Sequence, residues 1–351
     1  MDERVHQDDE VAKRVQELRA REEERVAKRV QERRAKEGGR GRDADKPTQI
    51  PASGWKEVAK RLYQEVSDDR IGSIAAGTTF FLLLALFPAL AAMVSVYGLV
   101  ADPASLEQHI ASLRGVLPGE ALGLIETELR RLVSQPSDGL GFKFALGLAV
   151  ALWSANSGVK ALFDALNVAY DEDEKRGFIA LNVASLIFTL AAIVFVVMVI
   201  GVVAVLPNVL GYLPLGPFGK VLVAVLPPIV LFAVAIAGLA ALYRYGPSRS
   251  RAKWSWITPG SIVAAVVWLI GSALFSWYVA NFGSYNATYG SLGAVVGLMT
   301  WIYLSMWIVL VGAELNSELE HQTSRDTTTG PERPMGQRGA KMADHIAPAG
   351  S

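Results

Sequence analysis

WSWITPGSIVAAVVWLIGSALFSWYVA (254–280), NFGSYNATYG (281–290) and SLGAVVGLMTWIYLSMWIVLVGA (291–313) run for 60 residues without one Asp, Glu, Lys or Arg. A single helix of that length would be about 90 Å long, whereas the hydrocarbon core of a bilayer is about 30 Å thick. The stretch must therefore fold back. The reversal falls in Asn281-Phe-Gly-Ser-Tyr-Asn-Ala-Thr-Tyr-Gly-Ser-Leu-Gly293, rich in Gly, Ser, Asn and Tyr between two apolar arms. The arms, 257–280 and 292–313, read as two membrane helices and the turn as their interfacial connection.

Four more spans are expected upstream, at about 74–100, 144–166, 178–206 and 221–243. The expected fold class is thus all-α: a polytopic membrane protein with six transmembrane helices. The chain divides into a charged tail and linker (1–53), a membrane domain (54–320) and a Thr/Gly/Pro-rich tail (321–351) expected to be disordered. In the first tail Val11-Ala-Lys-Arg-Val-Gln-Glu-Leu-Arg-Ala20 recurs as Val26-Ala-Lys-Arg-Val-Gln-Glu-Arg-Arg-Ala35, an exposed helix by its i,i+4 charge pairs. Residues 54–70 read as an interfacial helix with Trp55, Val58, Ala59, Leu62 and Val66 on one face. Residues 102–142 carry too many charges to span; two short amphipathic stripes predict an extramembrane helical hairpin.

Lys and Arg choose the orientation. They crowd the N-terminal tail, the 171–176 loop (Lys175, Arg176) and the 244–253 loop (Arg244, Arg249, Arg251, Lys253), and are absent from 207–219 and 281–291. The positive-inside rule gives both termini in the cytoplasm and the 102–142 hairpin outside it. The first 53 residues hold no apolar core, so no cleavable signal is expected.

Composition closes several routes. Without Cys there is no disulfide, thiol nucleophile or Cys-bound zinc, and no pair of the four His has ligand spacing. No metal, cofactor or catalytic signature is expected: GxSxG, HExxH and the P-loop pattern are missing. Basic patches alternate with acids, so nucleic acid is not an expected partner. Membrane lipids are, with a second copy of the chain as a further candidate. Gly293-Ala-Val-Val-Gly297 reads first as packing within the bundle and only then as a dimer contact.

The second span is the most polar. Asn156, Lys160, Asp164 and Asn167 share one helical face, with Ser157 beside Asn156. Glu314 and Glu318 end the sixth span, and Arg244 ends the fourth, on the same side. Ionisable groups at membrane depth pair with each other or line a wet cavity. Two readings stand: a polar vestibule open to the cytoplasm, or local pairing, with Lys160 bound to Asp164 and Glu314 to a basic loop residue. At the outer turn, Tyr285, Asn286 and Tyr289 are candidates against the ordinary role of interfacial Tyr.

Several stretches carry a family resemblance: Ala75-Ala-Gly-Thr-Thr-Phe-Phe-Leu-Leu-Leu-Ala-Leu-Phe-Pro88, Leu152-Trp-Ser-Ala-Asn-Ser-Gly-Val-Lys-Ala-Leu-Phe-Asp-Ala-Leu-Asn-Val-Ala-Tyr170, Arg244-Tyr-Gly-Pro247, Phe282–Gly293 and Gly312-Ala-Glu-Leu-Asn316. The chain resembles the YihY/BrkB family of bacterial inner-membrane proteins over about 55–320. The resemblance implies six helices and an inner-membrane location. It also implies a label, ribonuclease BN, which looks misassigned because the sequence lacks the His/Asp ligand clusters of a metal-dependent nuclease. Other members are linked to serum resistance or to export of envelope or lipid-related material. The expected function is therefore a non-enzymatic transporter or exporter of such material. The alternative is a scaffold for envelope homeostasis or partner binding, resting on the 102–142 hairpin and the N-terminal arm.

Overall fold

A computed structural model describes residues 39–97, 123, 125–127, 130, 142–211, 216–282 and 291–348. The outer turn with Tyr285, Asn286 and Tyr289, the N-terminal repeat and nearly all of the 102–142 hairpin lie outside them.

The described residues form a short helix α1 (Ala52–Asp68) and six long ones: α2 (Ile71–Tyr97), α3 (Phe142–Ala169), α4 (Phe178–Gly211), α5 (Gly216–Tyr245), α6 (Trp254–Phe282) and α7 (Ser291–His321). All six long helices contain a stretch long and apolar enough to cross a membrane. Each helix packs on the next in sequence, and α7 returns to α2, so α2–α7 close into a ring. The charge-free stretch is the α6–α7 hairpin anticipated above.

That hairpin owes its register to small residues and indole donors. A Cβ on Gly260 would stand 2.1 Å from the Gly312 carbonyl oxygen, so only glycine allows α6 and α7 to cross there. The Gly260 N–H donates to Asn316 Oδ1 at 2.8 Å. Farther along, Trp268 Nε1 donates to Ser305 Oγ (2.9 Å) and Trp301 Nε1 to Ser272 Oγ (3.2 Å), a reciprocal pair. Inside a bilayer a buried indole N–H has no water to turn to, so these partners fix the pairing. Gly158 does similar work between α3 and α2, where a Cβ would meet Ala85 at 2.9 Å.

The main apolar cluster gathers Ile71, Ala75, Leu166, Tyr170, Tyr243, Ile257, Leu310 and Ala313 at one end of the ring. A second cluster, with Val58, Trp256, Leu315 and Leu319, seats α1 and Ile50 on the same end. We call this the polar end. The buried stripe of α1 is Gly54, Val58 and Arg61, spaced i, i+4, i+7, while Ala59 is exposed. The face expected from apolar residues alone is thus rotated toward Arg61.

The tail expected to be disordered is ordered through residue 348 and folds over the polar end. Thr328 pairs with Ala252 in an antiparallel bridge. Lys253 N–H donates to the Thr327 carbonyl and Thr329 N–H to the Arg251 carbonyl, both at 2.8 Å. Ser324 N–H reaches the Arg42 carbonyl at 2.7 Å, joining the two terminal segments. Within the tail, Asp344 accepts from the N–H groups of Gly336, Arg338 and Gly339. Arg338 donates to the carbonyls of Ser324, Arg325, Arg333 and Ala343. Composition suggested disorder because apolar residues are few. Order comes instead from satisfied backbone groups around two buried or half-buried charges, a short-range signal that composition averages away.

Candidate functional site

The residues expected in one vestibule fall into three separate settings. The first is the exposed stripe of α3. Leu146, Val150, Trp153, Ser157, Asp164 and Val168 are all exposed and lie at spacings of 3, 4 or 7, with half-buried Lys160 between Ser157 and Asp164. The stripe is apolar from Leu146 to Trp153, polar from Ser157 to Asp164, and closes on Val168. Lys160 does not close on Asp164. Its Nζ donates to Asn182 Oδ1 on α4 and lies 5.4 Å from the centroid of the Trp153 ring. Deeper on the same α3–α4 seam, fully buried Asn156 meets Thr189, whose hydroxyl stands 3.5 Å from Asn156 Oδ1. Asn156 Nδ2 has no partner among the described residues.

The second setting is a clamp between loops. Asn167 Nδ2 donates to Glu174 Oε2 (3.1 Å), and Asn167 Oδ1 accepts from the Ser248 N–H (2.7 Å). Burial works against ionisation of Glu174, but bonds from Arg176 and Asn167 prevail and hold its carboxyl lowered to about 2. Arg244 belongs to this region and not to a vestibule. It donates to the Ala252 carbonyl (2.8 Å) and stacks 4.4 Å from the Trp254 ring.

The third setting is the buried end of α7. Glu318 pairs with Arg61 of α1, which also donates to Gln322 Oε1 at 2.8 Å. Glu320 pairs with Arg249 at 2.6 Å, both side chains nearly inaccessible. Glu314 does not meet a basic loop residue, contrary to the pairing reading. The charged groups that act on it are carboxyls, those of Asp69, Glu318 and Glu65. Burial pushes the carboxyls of Glu65 and Asp69 up. For Asp69 a hydrogen bond with Glu314 pulls back while Asp171 raises it further.

Sequence reasoning missed Arg61, Asp69, Asn182, Arg249, Glu320 and Gln322. Asn182 and Arg61 left a trace: each is a polar side chain on an otherwise apolar helix face. The others are made by tertiary contacts of loops and tail, which helical spacing does not encode. Among the described residues no group of three or more His, Cys, Asp or Glu is gathered as metal ligands would be.

A closed ring of six membrane-capable helices, bearing charged side chains at its polar end and on one exposed helix face, defines a polytopic membrane protein. The chain belongs to the virulence factor BrkB family, whose model matches residues 62–336. It is 32% identical to the putative ribonuclease-like protein YfkH of Bacillus subtilis over 269 residues, 74% of this chain and 94% of that one. It is 26% identical to a UPF0761 membrane protein of Photobacterium profundum, covering 77% of this chain and 82% of the relative. For a UPF0761 membrane protein of Albidiferax ferrireducens the identity is 25%, with 77% and 64% covered. No solved structure matches.

Proposed function

We propose that the protein exports an amphipathic, lipid-related envelope component across the inner membrane, with its polar end and both termini in the cytoplasm. The observation that carries this reading is the α3 stripe, where exposed Ser157 and Asp164 flank half-buried Lys160 within a stretch long and apolar enough to span a membrane. Charged side chains on a lipid-accessible face are costly unless something polar meets them. A cation and an anion one turn apart suit a charged head group moving along the helix while its acyl chains stay in lipid. The apolar continuation through Trp153, Val150 and Leu146 would receive those chains. The ribonuclease-like name carried by YfkH does not extend to this chain in our reading.

The test is reconstitution in vesicles with a fluorescent phospholipid, comparing wild type with Lys160→Ala and Asp164→Ala. Both variants are expected to fold and insert but to lose most transbilayer movement. If they move lipid as wild type does and fully rescue a deletion strain, the stripe has no such role. The scaffold alternative predicts that outcome, together with loss of function on deleting 102–142.

A further inference from the structure

The loop between α5 and α6 carries Arg244, Arg249, Arg251 and Lys253 and not one acid. It starts and ends at the edge of the apolar zone. The membrane-capable stretch of α5 stops at Tyr245, and that of α6 begins at Trp254. Both rings are exposed, by 37% and 49%, and they meet edge to face with centroids 6.2 Å apart. Exposed Tyr and Trp at the end of a span sit at the head-group level of a bilayer.

Two guanidiniums stack on this aromatic pair. Arg244 lies 4.4 Å from the Trp254 centroid and 5.5 Å from that of Tyr245, and Arg251 lies 5.2 Å from Tyr245. Other basic residues of the polar end are occupied. Arg176, Arg249 and Arg338 each face a carboxylate, and Lys253 Nζ donates to the Asp326 carbonyl at 2.6 Å. Among the described residues Arg244 and Arg251 pair with no carboxylate. Arg244 Nη1 is bound to the Ala252 carbonyl, while the Arg251 side chain is exposed and touches the Tyr245 ring. A guanidinium stacked by its face keeps in-plane N–H donors for phosphate oxygens.

The ordered tail holds this arrangement. Ala252 is buried and bridged to Thr328, with backbone bonds on either side, from the Lys253 N–H to Thr327 and from the Thr329 N–H to Arg251. Alternate residues of an extended segment face opposite ways, so burial of Ala252 turns Arg251 outward. Past Trp254, the residues Ile262, Val266 and Ile270 follow on α6 at four-residue spacing, all exposed. They form an apolar row leading away from the two arginines.

We propose that Arg244 and Arg251 bind the phosphate of one anionic phospholipid in the leaflet at the polar end. Tyr245 and Trp254 flank its glycerol, and the α6 row carries an acyl chain. Two guanidiniums without a carboxylate select a head group of net negative charge, because a phosphocholine brings a cation of its own. The site uses no residue of the α3 stripe and holds a resident lipid, so it stands independently of the export reading.

The test is a titration of the full chain in non-ionic detergent with acyl-labelled phosphatidylglycerol, read by fluorescence anisotropy at fixed ionic strength. Wild type is expected to bind it about tenfold tighter than phosphatidylcholine with the same label. The double variant Arg244→Gln/Arg251→Gln is expected to lose that preference. Arg251→Gln alone, which removes no side-chain hydrogen bond among the described residues, should lose most of it. Lys56→Gln/Lys60→Gln, which removes two exposed charges of α1, is expected to keep it, as is Lys160→Ala. An arginine double variant that binds as wild type does overturns the site. Equal weakening by the lysine pair also overturns it, since general surface charge would then suffice. So does inorganic phosphate that displaces the lipid where chloride of equal ionic strength does not, which would make the ligand a soluble anion. Loss in Lys160→Ala with the preference intact in the arginine variants would put the lipid on α3, so failure here is separable from failure of the export reading.

Discussion

The α3 stripe and the buried end of α7 are made of the same materials, Asn, Ser, Lys or Arg, and carboxylates, yet they sit in opposite surroundings. At the end of α7, Asn316, Ser317, Glu318 and Glu320 are fully buried, and two of the acids are locked to Arg61 and Arg249. On α3, Ser157 and Asp164 are exposed, and among the described residues Lys160 is held by Asn182 and the Trp153 ring. A buried ion pair is hard to break because the survivor is left uncompensated. An exposed one contributes little to stability and is free to meet something else. Polar residues in membrane helices thus divide by what covers them: those under α1 and the tail are paired within the fold, while Ser157 and Asp164 of α3 stay exposed.

The contrast breaks most visibly at Arg61. Replacing Arg61→Ala strands Glu318 at 0% exposure and should cost about 3–5 kcal/mol, read by unfolding in detergent. An Arg61→Ala protein as stable as wild type would erase the distinction. Next comes Asn167→Ala, which removes the bonds joining Glu174 to the Ser248 backbone; a loss of about 1–3 kcal/mol is expected in the same assay. Trp268→Phe should cost about 1 kcal/mol through the orphaned Ser305 bond, with a similar loss for Trp301→Phe at Ser272. Lys160→Ala is expected to shift stability by less than about 1 kcal/mol while removing lipid movement, which sharpens the contrast from the other side.

The smallest effect is a pH dependence. The Glu174 carboxyl is lowered from 4.5 to about 2 in the fold. A depressed carboxyl stabilises fully above its unfolded value and loses that contribution as pH falls toward the folded one. The thermal midpoint should therefore decline between pH 4.5 and about 2, and Glu174→Gln should remove part of that decline. An unchanged slope in the variant would show that the loop clamp does not depend on Glu174 charge.

The spans were legible because hydrocarbon imposes length and apolarity on any helix crossing it. Ile74 as the expected first residue of a span against Ile71 observed, or Tyr243 as the expected last residue of another against Tyr245, is the ordinary fraying of helix ends. The sixth helix ran farther than its apolar stretch, to His321, because its last two turns are covered by α1 and the tail and not by lipid. The shared face of Asn156, Lys160 and Asp164 was readable from helical spacing; which neighbour covers it was not. Asn156 and Lys160 turn toward α4, while Asp164 is exposed. The cluster expected of Lys160, Arg244 and Glu314 did not form because end-of-helix depth says nothing about azimuth around a ring of six. The tail was misread for the reason already given: a few well-placed charges organise a segment that has almost no core.

The strap across the polar end also sets an order of biogenesis. Its bonds join Arg42 and Ala44, among the first described residues to leave a ribosome, to Ser324 and Thr323, and Ser250 to Gly339, among the last. Six helices must already be inserted before those partners meet, so the membrane-inserted chain passes through a stage in which Arg40, Arg42 and the loop carrying Ser250 and Lys253 lack their final acceptors and donors. Topology reporters fused after residue 320 would interrogate that unfinished stage, whereas reporters joined beyond residue 348 would interrogate the closed protein. The two fusions should differ in protease susceptibility even where they report the same number of membrane crossings.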